Sequence, residues 1–157
     1  LIKAINIDSH RTSSYCKATD PDFLRMLNKR KPSTMAALAD IWYEGNGASY
    51  GRNQHYNDSR YHMLNLHATF TKGTVEFRLF NGTLHAGKIK AYIQFCLAMS
   101  AWAVNAKDDL FFKNISAYTA EQKKEIMNRM LKKRLGMSGP EFKTARLHLT
   151  SAFTTAA

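Results

Sequence analysis

Little in this chain could staple it from outside, since its 157 residues include only two cysteines and three prolines. Cys16 and Cys96 lie far apart, and Cys96 falls in an apolar helical run where a free buried thiol is common, so no disulfide framework is expected. Neither CxxC nor HExxH occurs, which removes the usual zinc signals. There is no charged-then-apolar leader. No uninterrupted apolar run reaches bilayer length, because the best stretch, Ile89 to Val104, is broken by Lys90, Gln94 and Ser100. These absences argue for a cytoplasmic protein with no membrane partner. Acidic residues are scarce as well: 12 Asp and Glu stand against 23 Lys and Arg, a formal net charge of +11. That imbalance favours a polyanionic partner.

What remains is enough for a core. At 45% hydrophobic, with no internal repeat or low-complexity tract, residues 1–157 are expected to form a single domain. Ile2 to Ile7 alternate as a short strand. Asp20-Pro21 opens a helix that runs to about Asn28 and is closed by Lys29-Arg30-Lys31. Ser33 or Thr34 caps a second helix, Met35 to Tyr43, with Gly45 as its stop. Glu44 to Asp58 is rich in glycine and asparagine and reads as a mobile loop. Ala86 to Asn105 has apolar residues at Ile89, Ile93, Cys96, Leu97, Met99 and Ala103, the period of a core helix. Phe111-Phe112 are expected to be buried. Thr119 and Gln122 form a capping box for a helix reaching Leu135, where Gly136 stops it. Pro140 opens a last helix carrying Phe142, Ala145, Leu147 and Leu149, and the tail frays.

The chemistry concentrates between Arg60 and Leu84. Val75, Phe77 and Leu79 alternate with Glu76 and Arg78, so one strand face is apolar and the other charged. Leu64 and Leu66 alternate with Asn65 and His67 on the preceding segment, and Lys72-Gly73 supplies a turn. Pairing the two sets an Asn/His row beside a Glu/Arg row, and Arg60 stands just before it. The fold expected is α+β: a small antiparallel sheet with a central β-hairpin packed against several helices, the helix Ala86 to Asn105 covering the apolar face. His55, His62 and His67 lack an acidic or cysteine partner, so no metal site is expected.

The runs RYHMLNLH, TVEFRLFNGTLHAGKIKAYIQFCLAMS, ADIWYEG and GPEFKTARLHL closely resemble the amidoligase family, a branch of the carboxylate-amine ligases related in fold to glutamine synthetase. The resemblance spans about Ser14 to Leu149. It implies half of a glutamine synthetase-like domain, the C-terminal half, and an ATP-dependent reaction through an acyl phosphate. In that chemistry Glu76 would lie near magnesium and nucleotide, Arg78 would steady phosphate charge, and Arg60, Asn65 and His67 would contact substrate or phosphate. The Glu-Ile-Glu type of acidic motif that holds magnesium in the family does not occur here.

Three readings follow. One is a non-catalytic binding protein without a cofactor, its partner DNA, RNA or a guide-RNA nuclease complex, in the manner of a phage or mobile-element anti-CRISPR inhibitor of Cas9 type. Its contact residues would be Lys29, Arg30 and Lys31 together with Lys123, Lys124, Arg129, Lys132, Lys133 and Arg134, with Tyr50, Tyr56 and Tyr61 available for stacking. The alternative is an ATP- and magnesium-dependent amide ligase with Glu76 and Arg78 as catalytic residues. A third possibility is a non-enzymatic assembly subunit. The oligomeric state stays open.

Overall fold

The computed structural model describes residues 5–106 and 117–153. Half of the strand expected at residues 2–7 lies outside them, as do Phe111-Phe112 and the end of the tail; in the described half Ile5 and Asn6 form a turn instead, with Asn6 at φ 51°. The fold is α+β and mainly helical, and its sheet has two antiparallel strands. Two compact units are present: Ile7–Asn81, and the chain from Gly82 onward together with Ile5 and Asn6. Among the described residues, no helix is long and apolar enough to cross a membrane.

In the unit Ile7–Asn81, a short helix α1 (Ser9–Ser14) precedes α2 (Pro21–Arg30) and α3 (Met35–Gly45). The Asp20 side chain accepts a hydrogen bond from the Asp22 N–H at 2.7 Å, and Pro21 takes the first helical position, where no donor is needed. α2 ends at Lys31, held in the left-handed conformation at φ 42°. Thr34, rather than Ser33, caps α3 by accepting from the Ala37 N–H. The two helices enclose a core of Phe23, Ile41, Trp42, Tyr43 and Ala48, with Phe23 edge-on to Trp42 at 5.0 Å between ring centres. Gly45 makes this packing close: a Cβ there would fall 2.7 Å from the Phe23 Cα.

The hairpin is shorter than its alternation suggests. β1 is Leu64–Asn65 and β2 is Glu76–Phe77, with Leu64 opposite Phe77 and Asn65 opposite Glu76. Between them lies a helical turn, α4 (His67–Lys72), which Gly73 ends at φ 72°. The expected strand position of His67 is therefore corrected to the first residue of a helix. The cause is local: the Asn65 Oδ1 accepts from the Ala68 N–H at 3.3 Å, satisfying a donor of the first turn and drawing the backbone out of the ladder. The apolar row is uneven too, since Val75 is 51% exposed and Leu79 3%.

In the other unit, α5 (Ala86–Asn105) packs on α7 (Lys143–Leu149). Its buried positions are Ala91 and Phe95, whereas the expected core residues Ile89, Ile93 and Leu97 are exposed. A helix apolar on both sides carries two stripes, and periodicity alone does not say which one is covered. α6 (Ala120–Arg129) begins with the expected reciprocal Thr119–Gln122 box and passes into five residues of π-helix, Met130–Arg134. Gly136, at φ 67°, closes the run. A 3-10 turn, Pro140–Phe142, leads into α7.

Gly45→Ala decides how tightly α2 and α3 meet. A helical Gly→Ala change ordinarily stabilises by about 0.5–1 kcal/mol. Here the new methyl meets backbone, so a net loss of about 1–3 kcal/mol is expected. A denaturant midpoint that rises instead would show that the two helices can part at no cost.

Candidate functional site

Strand pairing brings Asn65 and Glu76 together, and their side chains bond: the Asn65 Nδ2–H donates to Glu76 Oε2 at 2.6 Å. The other carboxylate oxygen, Oε1, accepts from Arg78 Nη1 at 2.9 Å. Residues two apart on a strand share a face, so this second contact follows directly from the Glu-x-Arg spacing. Both oxygens of Glu76 are thus engaged. Asn65 is buried and serves Glu76 and α4 at once.

Arg78 is held from a second side. Its Nε–H donates to the Tyr15 carbonyl at 3.3 Å, while its own carbonyl accepts from Arg11 Nη2 at 2.7 Å. These contacts arise because residues 15–17 run beside residues 61–63: a parallel bridge joins Lys17 and His62, with Lys17 N–H donating to Tyr61 O and Met63 N–H to Lys17 O. Arg11 and Tyr15 lie in a stretch with no catalytic pattern, and the sequence offered no signal for them. The Arg78 guanidinium lies 5.5 Å from the centre of the Tyr61 ring, and that of Arg60 lies 5.6 Å from the same ring and 5.3 Å from Tyr56. Arg60 Nη1 donates to the His55 carbonyl. The Nε donors of Arg11 and Arg60 are buried without a hydrogen-bond partner. The result is a ladder of arginine and tyrosine running Tyr56, Arg60, Tyr61, Arg78, with Glu76 at its end.

His67 is not part of that ladder. It is buried, and its Nδ1 lies 2.7 Å from the Tyr43 hydroxyl. Burial pushes its pKa down, with Arg60 and His55 acting in the same direction against a backbone hydrogen bond to Gln54. Its partners tie α4 to residues 44–58. Asn57 fastens the same loop, its Nδ2 reaching the carbonyls of Ala48, Tyr50 and Gly51. The loop read as mobile is a hydrogen-bonded one.

The basic candidates fall into several settings. Arg30 forms a two-pronged pair with Glu44, at 2.6 and 2.9 Å, which lowers the Glu44 pKa; Lys29 and Lys31 beside it are exposed. Arg129, Lys132, Lys133 and Arg134 are exposed, whereas Lys123 and Lys124 are half-buried. Cys16 is fully buried, and burial raises its thiol pKa, with Arg11 and Arg78 acting the other way. Among the described residues, no group of three or more His, Cys, Asp or Glu is placed to hold a metal ion.

A family model described as "Putative amidoligase enzyme" matches residues 1–100. That span includes Arg60, Asn65, His67, Glu76 and Arg78 and ends short of α6 and α7, so the expected likeness as far as Leu149 lies partly beyond it. No curated protein matches the chain, and no solved structure does.

The depressed pKa of His67 gives stability a pH dependence of known sign. The unfolded chain takes up this proton first, near the ordinary histidine value of about 6.5. The folded state does so only at lower pH, so stability is constant above that value and falls as the pH drops through it. His148, lowered by burial and by His85 and Lys88, adds to the same slope. His67→Gln should lower the urea midpoint at neutral pH yet flatten its decline on acidification. An unchanged slope in the variant would mean that His67 ionises as freely folded as unfolded.

Proposed function

The chain belongs to the amidoligase family, and from that premise we propose that its own part in the family's chemistry is to hold the anionic end of a reactant at Arg78, with Arg11 and Arg60 beside it. The observation that supports this most directly is the imbalance at the hairpin, where three guanidinium groups gather and Glu76 is the carboxylate bonded among them. A guanidinium fork matches the oxygens of a carboxylate or phosphoryl group. With Nε and Nη1 of Arg78 spoken for, its Nη2 remains to meet such a ligand. Glu76 then aims Arg78, and Asn65 fixes Glu76.

Magnesium does not fit this donor set. A hard dication takes several oxygen ligands, but Glu76 already spends both oxygens and has a guanidinium 2.9 Å away. A complete amide-forming centre needs carboxylates beyond those the described residues bring together. The chain alone, given ATP, Mg²⁺ and a panel of amino acids and polyamines, should release no phosphate above background. It should still bind anionic nucleotide, and Arg78→Lys, which keeps the charge but loses the fork, should weaken that binding about tenfold. Turnover abolished by Glu76→Gln would overturn the reading in favour of a self-sufficient ligase.

A second reading has its own support. Lys132, Lys133 and Arg134 follow one another on the π-helical turn, exposed and without an ion-pair partner among the described residues. Together with the net charge of +11, they suit the phosphate backbone of DNA, RNA or a guide-RNA nuclease complex, as a family member turned inhibitor would need. Reversing charge at Lys132 and Lys133 should weaken nucleic-acid binding and reduce its salt dependence while leaving the melting midpoint in place. Binding that ignores both salt and the double reversal would remove this turn from the interface.

A further inference from the structure

The exposed side of α5 repeats in a way that calls for a second helix. Ala86, Lys90, Ile93, Leu97, Ser100 and Val104 follow one another at alternating steps of four and three, the heptad seam by which one helix packs along another. All six are exposed, Ile93, Leu97 and Val104 by 56%, 67% and 85%. The buried positions, Ala91 and Phe95, fall on the opposite side of the helix, so packing within its own unit leaves the seam uncovered.

Charge decides what can lie there. From Ala91 to Asn105 no charged residue occurs, in a chain of net charge +11, so two copies can approach along this stretch with least repulsion. Lys90 adds direction. It stands toward the N-terminal, positive end of the α5 dipole, where the first turn holds no acidic residue, while the last turn of α5 holds no basic one. A copy laid antiparallel carries each Lys90 to the other helix's C-terminal, negative end. A helical side chain leans toward its own N-terminus, which in this arrangement is toward the partner's last turn. A parallel copy would instead set Lys90 against Lys90.

One antiparallel register uses the whole of α5. Centred at Phe95, it sets Leu97 on the partner's Ile93, Lys90 on the partner's Ser100 and Ala86 on the partner's Val104, so that apolar meets apolar and long meets short. Ile89, 42% exposed, then flanks the seam beside the partner's Ala103.

We propose that the protein forms a two-fold dimer through α5, the two helices antiparallel and centred at Phe95. The contact is isologous and closes at two copies. A single helix pair about 30 Å long is smaller than a standard interface, so the dimer is a reversible one.

Sedimentation equilibrium of the full chain at physiological ionic strength, over concentrations from about 1 to about 300 µM, should fit monomer and dimer with no larger species. A chain that stays monomeric throughout, leaving the ridge to a different protein, or one that grows without limit, would overturn the proposal. Leu97→Glu should raise the dissociation constant at least about a hundredfold and leave the melting midpoint of the dilute protein in place, since Leu97 is exposed. Lys90→Glu separates this register from unspecific adhesion. It lowers the net positive charge, which would strengthen adhesion, yet it puts a carboxylate at the partner's negative helix end, so the dimer should weaken about tenfold; strengthening would overturn the pairing. Direction is read from a nitroxide on Val104→Cys in a Cys96→Ser background, where the fully buried Cys16 escapes labelling. At about 1.5 Å of rise per residue the two labels should stand roughly 27 Å apart along the helices, and labels in contact would mean a parallel pair.

Discussion

The Glu76 carboxylate joins the strand pair to the arginine ladder. One oxygen takes the Asn65 amide across the strands and the other takes Arg78, two residues further along the chain. Each such charge-assisted bond is worth on the order of 1 kcal/mol at a partly exposed position, a modest sum. The geometric effect is larger. With Glu76 in place, Arg78 is directed so that its Nε reaches the Tyr15 carbonyl and its guanidinium reaches the Tyr61 ring, where Arg60 arrives from the other side. Without that carboxylate, Arg11, Arg60 and Arg78 would gather positive charge with nothing between them, and mutual repulsion would favour separating them.

The same logic places the buried polar residues. Asn65, Asn57 and His67 sit where backbone donors and carbonyls would otherwise be stranded. Asn65 serves the first turn of α4, Asn57 reaches three carbonyls of the loop, and His67 meets Tyr43. Each fastens a segment too short to be stable by itself, which matters in a unit whose sheet has two residues per strand.

Local chemistry was legible in the sequence wherever one residue decides it. Asp20-Pro21, Thr34, the Thr119–Gln122 box and Gly136 mark element ends because each satisfies, or spares, a particular backbone donor or tolerates a positive φ. The meeting of Asn65, Glu76 and Arg78 was legible because alternation fixes which side chains share a face. Three things were hidden. Alternation at Asn65–His67 and helical turn are both compatible with those residues, and the Asn65 bond to Ala68, a tertiary and capping detail, selects the turn. The covered face of α5 was hidden because apolar residues lie all round it. Arg11 and Tyr15 joined the site through a pairing between residues 15–17 and 61–63 that no periodicity announces.

The exposed side of α5 has a consequence for how the protein behaves in solution. Ile89, Ile93, Leu97 and Val104 form an apolar ridge along one flank of a 20-residue helix, the sort of surface by which molecules adhere to one another. Against that short-range attraction stands the +11 charge, a long-range repulsion. Salt acts on the two unequally: it shortens the reach of the repulsion, from about 10 Å at 0.1 M to about 3 Å at 1 M, and leaves apolar adhesion intact. Lower ionic strength therefore favours dispersed molecules, and higher ionic strength brings the ridges within reach of each other.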